Sequence, residues 1–172
     1  MNSIILKPQP LTKQSFNQFG DVVEIQNHEY KVINNGYAHK YSNLASIDTS
    51  EAEGNTAVHI FVAKKRDLPL HIDMLERHPL FSQCFIPRGK KEFLIVVAPP
   101  ADKPNIERMV AFISNGDQGV NFSRGVWHFP LISLENESQF IIIDRQYEPE
   151  IDNIEQCDIY DLKRFNILLE MT

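Results

Sequence analysis

A chain of 172 residues, 42% hydrophobic and 23% charged, has the length and composition of a globular protein able to bury a core, which excludes a disordered or fibrous one. Lysine and arginine number 17 against 23 aspartates and glutamates, so the formal charge of −6 gives no overall attraction for nucleic acid or an anionic membrane, while a local cationic pocket stays allowed. There is no signal-peptide pattern and no apolar run near the roughly 18 residues of a spanning helix, and Cys84 and Cys157 stand far apart outside any CxxC pair; a cytoplasmic protein with reduced thiols is expected.

Residues 3–7 are predicted as a short strand stopped by Pro8 and Pro10. Thr12 is placed to cap a helix over 13–19 that Gly20 closes, with Phe16 and Phe19 on one side. Strands follow at 21–26, at 30–34 and, beyond the turn Asn34-Asn35-Gly36, at 37–41. A polar loop then leads into a β run over 57–63. The segment 70–77 is bracketed by Pro69 and Pro79 and is read as mostly extended, although Ile72, Leu75 and Glu76 also fit a helical face. Strands at 83–86 and 92–98 come next, the latter so apolar that both its faces must be covered. Runs at 109–113, 119–122, 126–131 and 139–144 complete the series. The tail is acidic from Tyr147 and apolar over 165–169, a stretch that packs across the body or onto a partner chain. Many short strands with Gly, Pro and Asn turns predict an antiparallel barrel or jelly roll, with sandwich and barrel equal on periodicity. No repeat or linker divides the chain, so residues 1–172 are taken as one domain.

The most informative stretch is 112–131, F-I-S-N-G-D-Q-G-V-N-F-S-R-G-V-W-H-F-P-L. Asn115-Gly116 and Gln118-Gly119 are turn dipeptides. Strand alternation after them sends Arg124, Val126 and His128 to one face, and Gly125, Trp127 and Phe129 to the other. A cation and an imidazole then share a side, with Trp127 left to the core. By the same rule Arg77 faces away from Glu76 and His78 and is assigned a structural ion pair.

The run Gly125-Val-Trp-His128 is similar to the second motif of the cupin family. More widely, the chain resembles the ureidoglycolate lyase family in 112–131, Phe19-Gly-Asp-Val-Val-Glu24, Ile33-Asn-Asn-Gly36, Leu75-Glu-Arg-His-Pro-Leu80, Phe85-Ile-Pro87 and Ile143-Asp-Arg145. That resemblance implies an all-β, cupin-like double-stranded β-helix, a jelly-roll barrel with a short N-terminal helix. It also implies elimination of urea from (S)-ureidoglycolate, giving glyoxylate in allantoin breakdown, by a homodimer with nickel as the associated metal.

The first cupin motif is His-x-His, a gap of three or four residues, then Glu. Here Glu76 stands at its first His and Gln83 at its Glu, while His128 holds the His of the second motif. Glu76, His78, Gln83 and His128 are therefore candidate ligands for a divalent metal, an amide being a poorer ligand than a carboxylate. The bland alternative is a buried hydrogen-bonded polar cluster that fixes the barrel. His78 and His128 are the candidate general base and acid, since imidazole titrates near neutrality. Arg124 is a substrate-carboxylate clamp or a surface cation, Asn34 a pocket donor or a turn residue, and Tyr41 a pocket wall or core. His28, His39, His59 and His71 lie outside the motifs and are read as surface or core; neither cysteine is favoured as a nucleophile. The expected partner is a small molecule, with no nucleic acid or membrane. A cupin-type isomerase and a non-catalytic small-carboxylate sensor are the other readings.

Overall fold

The chain forms short strands because its β-branched and aromatic runs are cut every few residues by Pro, Gly and Asn. A computed structural model describes residues 3–146 and 156–171; the acidic stretch that begins at Tyr147 lies outside the described residues. In chain order the strands are β1 Ile4–Leu6, β2 Gln9–Pro10, β3 Gly20–Val23, β4 Lys31–Ile33, β5 Ala38–Lys40 and β6 Thr56–Ala63. Next come β7 Leu70–His71, β8 Met74–Arg77, β9 Gln83–Arg88, β10 Phe93–Ala98, β11 Val110–Ile113 and β12 Gly119–Phe122. The described series ends with β13 Trp127–His128, β14 Ile132–Ser133, β15 Ser138–Arg145, β16 Asp158–Asp161 and β17 Ile167–Leu169.

One sheet runs β16-β8-β13-β10-β11-β2, with β14 also paired to β10, and a second runs β3-β12-β9-β15-β6. Both contribute to one apolar cluster, in which Phe93, Ile95 and Val97 of β10 meet Phe85, Phe122, Phe140 and Ile142 of the second sheet. Leu94, Val96 and Ala98 alternate to the other face, into a second cluster with Trp127, Ile167 and Leu169. Over that face β1, β17 and β7 lay a third, small sheet. β10 is thus covered on both sides, the reason its sequence carries no polar residue. The apolar end of the tail packs on its own body, the first of its two expected fates. Each fully buried side chain of the size of Phe93 or Phe140 contributes about 1.5–3 kcal/mol relative to exposure.

The helix expected over 13–19 is a single turn, Lys13–Phe16, capped by Thr12, whose Oγ1 accepts from the Ser15 amide at 3.1 Å. It ends early because Gly20 already pairs with Phe122 in the second sheet. Phe16 and Phe19 still pack together, ring centres 5.6 Å apart. Gly20 sits at φ +141, and a Cβ there would meet the Asn121 carbonyl oxygen, so the entry into β3 requires glycine. The strand predicted over 126–131 is broken into β13 and β14, with Pro130, which has no amide proton to donate, between them.

A candidate active site of two imidazoles and a carboxylate

Register builds the site. β13 places His128 directly across from Glu76 on β8, and His78 follows two residues after Glu76. Gln83 opens β9 opposite Phe122 of β12. His128 Nδ1 lies 3.0 Å from the Val126 carbonyl oxygen and His78 Nδ1 3.1 Å from that of Gln156. A carbonyl only accepts, so each ring carries a proton on Nδ1 and, in its neutral form, presents a bare Nε2. Both Nε2 atoms are buried without a hydrogen-bond partner. Glu76 Oε1 stands 3.5 Å from His128 Nε2, and the donor atoms of Glu76, His78 and His128 all lie within 4.8 Å of one another. The rings are held from behind: His78 stacks on Phe81 and His128 on Phe122, each at 4.5 Å between centres.

Burial, followed by the charge of His128, pushes the pKa of His78 down against the Gln156 carbonyl and Glu76, which favours a neutral ring. Burial raises Glu76, but the close approach of His128 and the charge that it and His78 carry when protonated outweigh it and hold the carboxyl below its usual range. Two buried lone pairs with no protein donor, beside a carboxylate, fit a divalent metal. Metal bonds of about 2.0–2.2 Å set neighbouring ligands about 3 Å apart, near the 3.5 Å between Glu76 Oε1 and His128 Nε2. This cluster could therefore hold a metal.

Gln83 shares its cavities with Glu76 and His78. Its Nε2 donates to Asp144 Oδ2 at 3.0 Å, and its Oε1 is buried without a partner. A cavity of about 540 Å³ is lined by His78, Gln83, Asp144, His59 and Arg145; another, of about 680 Å³, is lined by Glu76, Gln83, Phe85 and Arg66. Gln83 belongs to both. A groove of about 630 Å³ at Lys13, Glu24 and Gln118 lies apart, and its polar groups pair among themselves, Gln118 donating to Glu24 at 2.8 Å.

Arg124 is not where alternation put it. It occupies the turn before β13, so it shares no strand face with His128, and its guanidinium is engaged by Glu51 at 2.6 Å and Asp48 at 3.0 Å. Asn34 is exposed at the tip of the β4–β5 hairpin, with φ +52, and Tyr41 packs near Tyr30, ring centres 5.5 Å apart. Neither lines the cavities of His78 or Glu76. Arg77 does face away from the site: it pairs with Asp158 at 2.7 Å and lies over the buried Trp127 ring. Cys84 is buried and its thiol is pushed up to about 12, by burial first and then by Asp21, so it is no nucleophile.

Sequence reasoning missed Asp144 and His59. Asp144 lies beside Gln83 because Ile143 pairs with Cys84, and His59 Nε2 comes within 3.2 Å of Asp144 Oδ1, outside hydrogen-bond alignment. The available signal was a carboxylate following Phe140 and Ile142 in the inward series of β15.

Facing sheets with a buried imidazole–carboxylate cluster define a β-sheet protein built around a polar site. The family described as ureidoglycolate lyase matches residues 3–163, and the chain belongs to the ureidoglycolate lyase family. It is 49% identical over 140 residues to the ureidoglycolate lyase of Pseudomonas paraeruginosa, covering 81% of this chain and 83% of that one. Against the ureidoglycolate lyase of Azotobacter vinelandii the identity is 48% over 141 residues, covering 82% and 85%. Among solved structures it is similar to RmlC from Streptococcus suis in complex with dTDP-D-xylose, at 12% identity and a TM-score of 0.46 over 96% of this chain and 89% of that one. A 3,4-ketoisomerase from Helicobacter canadensis gives 15% identity and a TM-score of 0.45 over 75% and 85%. Among the described residues no helix is long and apolar enough to cross a membrane.

Proposed function

We propose that this chain is a cupin-like ureidoglycolate lyase that eliminates urea from (S)-ureidoglycolate to give glyoxylate in allantoin breakdown. The observation that carries the reading is the pair of bare, buried Nε2 atoms beside Glu76, in a chain of this family. The substrate is a hemiaminal: its hydroxyl loses a proton as C=O forms, the C–N bond breaks, and the leaving urea nitrogen gains a proton. His78, kept neutral by burial, is suited to take the hydroxyl proton at Nε2. His128 is suited to deliver the other once its Nε2 has taken up a proton, because the imidazolium so formed lies beside the Glu76 carboxylate, 3.5 Å away. Buried rings held by stacking keep both nitrogens oriented without reorganisation during the reaction.

The substrate carboxylate needs a cation. Arg124 is already engaged by two acidic residues, so the role passes to Arg66, which lines the same cavity as Glu76 and Gln83. A divalent metal, nickel by family resemblance, would be held by Glu76, His78, His128 and Gln83. When bound it would supply Lewis-acid polarisation of the hydroxyl, and the imidazoles would then serve as ligands. Exhaustive chelation separates the two readings: full retained turnover leaves the imidazoles as the proton carriers.

The assembly proposed is a cytoplasmic homodimer. Strand β6 is an edge of its sheet, and its Val58, Ile60 and Val62 are exposed, which favours cover by a second copy. A monomer mass in solution scattering at micromolar concentration would count against this. The function itself is tested on products. Pure protein should release urea and glyoxylate in equal amounts above the spontaneous rate, whereas ammonia in place of urea, or no turnover as for a sensor, would overturn the proposal.

A further inference from the structure

Across the strands β6, β15 and β9 runs a short polar row: His59, Asp144 and Gln83. Asp144 and Gln83 are each only 8% exposed, and both lie in an otherwise apolar part of their sheet. A buried carboxylate and a buried amide are costly unless they satisfy each other. They do so in one sense only. Gln83 Nε2 donates and Asp144 Oδ2 accepts, at 3.0 Å. That bond sets the sense of the Gln83 amide, and its oxygen is turned away from Asp144. That Oε1 is buried and has no partner among the described residues.

We propose that Asp144 is a positioning residue, orienting Gln83 so that its carbonyl oxygen serves as a fourth donor to a divalent cation held by Glu76, His78 and His128. This rests on the metal reading of that cluster. A neutral amide is a weak ligand and a free one rotates, presenting oxygen or NH2 with little preference. Pinned by Asp144, it presents oxygen only. The arrangement supplies an oxygen donor without adding the charge of a second carboxylate beside Glu76. It also explains why a carboxylate closes the inward series of β15. Partners behind metal ligands act in this way, and their removal costs about 10–100-fold in metal affinity.

The test is Ni²⁺ affinity by titration calorimetry at neutral pH, with thermal melts to report folding. Asp144→Leu removes the acceptor while keeping the branched shape of the side chain and should weaken Ni²⁺ binding at least about tenfold. The double variant Gln83→Glu with Asp144→Asn exchanges carboxylate and amide, keeping the charge and the hydrogen bond. Because a carboxylate has oxygen at both ends it needs no orienting, so the exchange should bind within threefold of wild type or tighter. Wild-type affinity in Asp144→Leu overturns the proposal, and so does an exchange variant that is as weak as the single one. If Asp144→Leu does not fold, the exchange variant decides alone, and its failure to fold or to bind counts against the proposal. Wild-type protein that takes up no Ni²⁺ also overturns it, yet leaves the lyase reading standing, because that is scored on products.

Discussion

Replacing His128 with Asn separates a structural imidazole from a chemical one. The ring is 2% exposed, stacks on Phe122 at 4.5 Å, and gives one hydrogen bond to the Val126 carbonyl. Losing the stacking costs about 0.5–1.5 kcal/mol, and losing one neutral hydrogen bond costs about as much. The sum is about 1–3 kcal/mol, less than the stability of about 5–15 kcal/mol typical of a native domain, so the variant should fold. Turnover should respond on another scale, because general acid–base help is worth about 10²–10⁴-fold and Asn has no titratable nitrogen. The assay pairs guanidinium unfolding with discontinuous measurement of urea and glyoxylate. Turnover within threefold of wild type, in a folded variant, would refute the reasoning and return His128 to the core.

Arg66→Gln should raise KM for ureidoglycolate at least about tenfold, since a hydrogen bond to a charged group is worth about 1.5–3 kcal/mol, while Arg124→Gln should stay within twofold; the reverse pattern would restore the clamp to Arg124. Cys84, buried with its thiol near 12, should resist iodoacetamide in the native protein at pH 8 and react once unfolded, as peptide mapping would show. Leu169→Ala should lower stability by about 2–5 kcal/mol, the usual cost of a large-to-small change in a core; a change below about 1 kcal/mol would mean that the third sheet does not cover β10.

The strands were legible where composition and position agree. The run at 92–98 declared its double burial because no polar residue interrupts it, and β10 is buried on both faces. The segment 70–77 declared itself extended through its prolines, and β7 and β8 fall within it. β16 was not seen because Asp158-Ile-Tyr-Asp161 is half polar and half exposed; it becomes a strand only by pairing with β8, a partner some eighty positions earlier, a distance no local pattern reports. The helix over 13–19 shrank for a related reason. Local propensity favoured more turns, but the pairing of Gly20 with Phe122 ends the helix first.

The site divides along the same line. Glu76, His78 and His128 were found as motif positions, and register then placed His128 opposite Glu76. Arg124 failed because alternation was carried through a glycine turn: Gly125 takes φ +74, and alternation holds only while the backbone stays extended. Asp144 lies within the Ile143-Asp-Arg145 block, but no local pattern reveals its role, because its partner is 61 residues away in Gln83. The departure from the cupin pattern reads differently once that contact is known. Gln83 stands where a carboxylate is expected, and a carboxylate lies one strand over, bonded to it. On the proposed reading the charge lies one residue back from the site while the Gln83 oxygen is left for a ligand, and a motif written along one strand cannot record an exchange made across two.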